Sequence, residues 1–272
     1  MFNPATDFTL FWSMPPDDTD WANLRTSGVK QVMLVWRQAD PRTLSRLRSM
    51  GCSVVLRMEN GDLTQPAGTL QGHLREAMSA CHISGVIMGV EPDGRFDLTW
   101  DSQDWGTDFA WQHANQIRHV MGALGGLGVP LVSPGHAQRA ISEADQPAPG
   151  QISWREICAP VYNECDANGV HIYGYGWVSR VDETRFKWAV QYWATLRHKL
   201  LWIDEASIGS GSSNARMRAC IEMARILRDK TWGSRVGMFC PFVSNGTGVG
   251  YQPQYVMREP EAYMALATFM AP

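Results

Sequence analysis

Two glutamates close short apolar runs in this chain: Glu91 in GVIMGVEPD and Glu205 in LLWIDEASIG. Each run has the make-up of a buried strand, which places each glutamate at a strand's C-terminal end. Stability is a poor reason for a carboxylate there, because burying its charge is costly unless the group is paired or hydrogen-bonded. Two such groups permit a division of labour. One carboxyl, kept protonated by burial or by a neighbouring negative charge, can protonate the oxygen of an acetal linkage while its ionised partner attacks the acetal carbon. The chemistry asks for unlike pKa values from identical side chains, a difference that only their surroundings can supply. It needs neither a metal nor a cofactor.

The elements that would hold these glutamates recur along the chain. Eight apolar runs, at residues 8–12, 31–36, 53–58, 86–90, 130–133, 170–173, 200–204 and 236–242, alternate with helical patterns. In the stretch 215–228, Met217, Cys220, Ile221 and Ala224 recur at helical spacing. The stretch 41–50 opens on Pro41, which the first turn of a helix tolerates, and is followed by Gly51 where a C-terminal cap belongs. Eight βα units in 272 residues predict one closed (β/α)8 TIM barrel, a single domain over 1–272. Closure removes sheet edges, and no stretch reads as a linker. Two long loops, at 93–104 and 134–153, follow strands four and five, at the barrel end where active sites are built.

The order of these elements resembles clan A of the glycoside hydrolases, the retaining (β/α)8 enzymes. In that clan the acid/base ends strand four, commonly in an Asn-Glu-Pro segment, and the nucleophile ends strand seven. The resemblance covers the whole barrel order and implies a glycosidase acting on an oligo- or polysaccharide by double displacement, with Glu91 as acid/base and Glu205 as nucleophile. Two carboxyl groups serving a retaining mechanism stand roughly 5 to 5.5 Å apart. The clan often carries a His and a Tyr near the end of strand six, which here reads VHIYGYGW. His171 and Tyr173 share a face by the two-residue period of a strand, and a phenol donating to Glu205 would keep it ionised. An arginine often braces the nucleophile, and Arg37 or Arg57 could fill that role. Val90 departs from the pattern, standing where the clan usually has the asparagine that binds the substrate 2-hydroxyl.

Twelve tryptophans exceed what packing alone requires in a chain of this size, and indole faces can stack on sugar rings. Trp12, Trp36, Trp177 and Phe242, near strand ends, are the expected stacking residues, whereas Trp202 is mid-strand and expected to pack. Glu59, just past strand three, is a third carboxylate for the mouth. Asp204 adjoins Glu205, and strand alternation would turn it away from the axis, toward a structural role.

Other classes fit less well. A formal net charge of −3 gives no electrostatic footprint for nucleic acid. No apolar run is long enough to cross a membrane, and no leader is visible, so the chain is expected to be cytoplasmic, released by lysis, or trimmed of a leader. Oligomeric state cannot be read from the sequence. Six scattered cysteines form no CxxC pair and are expected to be free and buried. None of the four lysines ends a strand, as a Schiff-base barrel would need. Only His136 and His171 fall where a metal site would gather histidines. Glycine-rich stretches at 209–213 and 246–250 follow strands seven and eight, where barrels also bind phosphate. The alternative outside enzymes is a barrel that binds a glycan without cleaving it, or a structural barrel, to which Val90 is equally suited.

Overall fold

All eight apolar runs form strands: β1 (Thr9–Trp12), β2 (Gln31–Val35), β3 (Ser53–Met58), β4 (Ile83–Met88), β5 (Leu131–Ser133), β6 (Ala167–Gly174), β7 (Leu200–Ile208) and β8 (Val236–Pro241). The computed structural model describes residues 2–90, 107–135, 149–174, 181–196, 199–208, 212–242 and 257–271. Neighbours in sequence pair in parallel from β1 through to β8. A parallel bridge between Phe8 and Phe239 joins the last strand to the first, and the sheet curls into a (β/α)8 barrel.

The ring of helices comprises α1 (Pro4–Asp7), α2 (Asp18–Ser27), α3 (Pro41–Ser49), α4 (Ala67–Ala80), α5 (Thr107–Leu124), α6 (Pro149–Glu164), α7 (Glu183–Leu196), α8 (Ser213–Leu227), α9 (Lys230–Gly233) and α10 (Pro260–Met270). Their ends follow local chemistry. Asp40 accepts the Arg42 and Thr43 amides at 2.9 and 3.1 Å and caps α3, and Gly51, just beyond that helix, takes φ +71°. Among the described residues no helix is long and apolar enough to cross a membrane.

Strand alternation makes two cores. Leu10, Trp12, Leu34 and Ile203 face outward into the helix layer, whereas Phe11, Met33, Val55, Ile87, Val132 and Trp202 fill the barrel. Trp202 packs as expected. Glycines clear its space: a Cβ on Gly85 would lie 2.4 Å from its ring, and one on Gly237 would lie 3.2 Å from its Nε1. All six cysteines are free and buried.

Two strands run beyond their apolar stretches. In β6, Ala167-Asn168-Gly169 reads as a turn, but a Cβ on Gly169 would lie 2.3 Å from the Ser133 carbonyl oxygen, so glycine admits strand β5 there. The Asn168 amide nitrogen donates to Tyr162 O at 2.7 Å and Ser133 Oγ at 3.2 Å, tying β6 to α6 and β5. Strand β7 continues past Asp204 through a bulge, with consequences for the site.

Candidate active site

Glu205 sits in the upper half of β7, inside the barrel, and is only 3% exposed. Its Oε1 receives Nη1 of Arg57 at 2.5 Å. Arg57 reaches it from β3, two residues beyond the inward-facing Val55 and on the same face. The guanidinium lies over the Phe11 ring, 4.1 Å from its centroid, and Phe11 stacks on Phe242 at 6.0 Å with the planes 27° apart. An aromatic floor thus fixes the cation that meets the carboxylate. On the mouth side, Glu59 Oε1 stands 3.9 Å from Arg57 Nη2.

The other oxygen of Glu205 faces β6, where Nδ1 of His171 lies 3.5 Å from Oε2. The opposite ring nitrogen, Nε2, lies 3.4 Å from Asp204 Oδ2. Both acids reach the ring because β7 is bulged. Val170 pairs with Ile203 but His171 pairs with Glu205, so Asp204 is the extra residue. The expectation that alternation turns Asp204 from the axis is therefore corrected: it is fully buried beside His171. Cys240, from β8, completes the wall; burial, reinforced by the charge on Asp204, pushes its thiol well above the usual range and keeps it neutral.

Arg37 is elsewhere. Strand β2 ends at Val35 and the chain turns through Trp36–Gln38, which leaves the Arg37 side chain 63% exposed on Asp62, with Nε 2.7 Å from Oδ1. Of the two arginines, Arg57 reaches Glu205 and Arg37 does not. Trp12 and Trp36 are corrected too. Each is 1% exposed, Trp12 edge-on to Trp21 at 5.0 Å and Trp36 against His73 at 4.5 Å. Their indoles bind sheet to helices and offer no face to a ligand. Phe242 is half-buried on the inner side, beside Phe11. Tyr173 follows His171 by two residues in β6, in register with Ser207. Glu91, Trp177, His136 and the loop at 93–104 lie outside the described residues.

One residue absent from the sequence reading stands out. Asn60, just past β3, donates Nδ2 to the Val90 carbonyl at 2.8 Å and accepts the Val90 amide on Oδ1 at 3.1 Å. Gly89 takes φ +103°, and a Cβ there would lie 2.7 Å from Asn60 Oδ1. The two peptide units that flank Val90 are thereby each held at one polar group, the N–H of the first and the carbonyl of the second. The sequence hint is slight: a glycine in GVIMGVEPD where the strand should continue. Among the described residues no group of three or more His, Cys, Asp or Glu is arranged to hold a metal ion.

No protein-family model matches the chain, and no curated protein matches it by sequence. Solved structures do resemble it. A GH128 (subgroup II) endo-β-1,3-glucanase from Sorangium cellulosum superposes with a TM-score of 0.62 at 17% identity, over 96% of this chain and 98% of that one. A GH128 (subgroup VI) exo-β-1,3-glucanase from Aureobasidium namibiae gives 0.63 at 15% identity, over 100% and 98%. A fungal β-1,4-galactanase gives 0.59 at 13% identity, over 87% and 89%. At these identities the likeness is one of architecture, and the chain shares the barrel on which these glycoside hydrolases are built.

Proposed function

We propose that the chain is a retaining glycoside hydrolase of β-linked polysaccharide, with Glu205 as nucleophile and Glu91 as acid/base. The observation that carries this reading is the setting of Glu205. A buried carboxyl group in the C-terminal half of a barrel strand is held from one side by a stacked guanidinium and faced from the other by an imidazole. A fixed cation offsets the buried charge and fixed donors orient the oxygens, which is what an attacking carboxylate requires. Glu205 adds to the anomeric carbon as Glu91 protonates the departing oxygen. Glu91 then takes a proton from water, which attacks the glycosyl-enzyme and returns Glu205 as carboxylate.

For Glu91 the support is its place in the sequence, one residue after the segment held by Asn60. Two of the barrels compared above are named β-1,3-glucanases, so a β-1,3-glucan is the substrate to test first. The experiment combines turnover with trapping. The wild type is assayed on soluble and insoluble β-1,3-glucans, β-1,4-galactan and β-1,4-mannan, and a 2-deoxy-2-fluoroglycoside is used to label the nucleophile. The expected result is hydrolysis of at least one polymer, its loss in Glu205→Gln, and a label on the peptide carrying Glu205. No hydrolysis of any polymer, with glycan binding intact, would favour the barrel that binds without cleaving.

A further inference from the structure

Two consecutive acids rarely share one face of a strand, because alternation sends neighbours to opposite sides. Here the bulge in β7 makes an exception, and His171 lies between the results, with Nδ1 toward Glu205 and Nε2 toward Asp204. His171 and Asp204 are both fully buried. Among the described residues neither carboxylate oxygen of Asp204 accepts a hydrogen bond. The segment after β5 closes the far side: a Cβ on Gly135 would lie 2.2 Å from the His171 ring and 3.1 Å from Asp204 Oδ1. A buried carboxylate beside a ring nitrogen is costly unless that nitrogen carries a proton, and a ring set between two carboxylates can donate to both only as an imidazolium.

The described charged groups around the ring support the same answer. Strand β7 contributes Asp204 and Glu205, β3 contributes Arg57 and, toward solvent, Glu59, and β8 contributes the neutral thiol of Cys240. With a neutral imidazole, Arg57 would be the one cation among these described groups to face two buried carboxylates. With an imidazolium, two cations face two anions and both ring nitrogens can donate.

We propose that Asp204 is a positioning residue that keeps His171 an imidazolium, so that its Nδ1–H is presented to Oε2 of Glu205. Glu205 then meets a cation at each oxygen, Arg57 at one and His171 at the other. The role given to Glu205 rests on the hydrolase reading; the charge state of His171 does not. Asp204 itself touches no reacting atom.

The test follows the ring directly. Protein labelled with nitrogen-15 in histidine is titrated by NMR, with the His171 signals assigned by their loss in His171→Gln. In the wild type both ring nitrogens are expected to carry protons at neutral pH. Asp204→Asn should lower the His171 titration by about one to three units, and Asp204→Glu should restore much of it. In turnover, Asp204→Asn should pull the alkaline limb of kcat to lower pH, and Asp204→Glu should return it. A wild-type ring that is neutral at pH 7, or an unchanged His171 titration in a folded Asp204→Asn, overturns the proposal. The wild-type spectrum alone decides if that variant does not fold. A charged ring in a protein that hydrolyses no glycan would instead overturn the hydrolase reading and leave the assignment of charge in place.

Discussion

At the residue scale, Arg57 and Arg37 separate a positioned cation from a surface one. Arg57 is 1% exposed and its partner Glu205 3%, so Arg57→Met strands a buried carboxylate. The expected cost is about 3–5 kcal/mol of stability with turnover nearly lost. Arg37→Ala should cost at most about 1 kcal/mol, because it is exposed and Asp62 keeps the Glu59 amide at 2.9 Å and Gln65 Nε2 at 3.0 Å. Thermal melts and kcat on the same substrate check both, and a large loss of turnover in Arg37→Ala would contradict the assignment. Glu205 was legible in the sequence because a glutamate closing an apolar run is conspicuous. The choice of arginine was not, since it turns on Trp36–Gln38 leaving the strand path. The tryptophans misled for another reason. Parallel strands are buried on both sides, so their apolar runs do not reveal which face points into the barrel, and Trp12 and Trp36 proved to point out of it.

At the element scale, β3 and β4 are tied by one side chain where the sequence shows only a departure from a familiar motif. Asn60 grips the backbone N–H and the carbonyl of Val90, and Gly89 makes room for it. If the peptide before Glu91 is what aims that carboxyl, Asn60→Ala should slow glycosides with poor leaving groups by about 10–100-fold. Aryl glycosides whose leaving groups need no proton should be much less affected. Equal losses on both would assign Asn60 to stability alone. The run of eight strands was readable because each carries its own apolar stretch between helical patterns. The bulge that turns Asp204 inward was not, because it is set by pairing with β6 and β8 and leaves no mark on the local pattern. Nor was the early start of β6, where Asn168-Gly169 imitates a turn.

At the scale of the whole molecule, the first and last parts of the ring are fastened together by charge. Arg258, before α10, donates to Asp17 at the start of α2, and its carbonyl accepts Asn23 Nδ2 at 3.2 Å. The hydrogen bond from Arg258 holds the Asp17 carboxyl below its usual value. Burial raises Asp40, but hydrogen bonds from Thr43 and Arg42 outweigh it and leave that carboxyl lowered as well. Both pKa values are lower folded than unfolded. Their contribution is therefore present above the unfolded carboxylate value, about 3.9, and disappears as pH falls through the folded ones. The melting temperature of the wild type should fall on acidification below about pH 4, more steeply than in Asp17→Asn with Asp40→Asn. Scanning calorimetry across that range checks it, and parallel curves would contradict it.

The indole of Trp202 and the hollows left by Gly85 and Gly237 have a bearing on how this sequence can change over time. With a Cβ on Gly85 meeting the ring at 2.4 Å, neither partner can drift alone. A lineage that enlarges residue 85 must first, or at once, shrink residue 202, and the intermediate missing only the indole would carry a hole at the barrel's base.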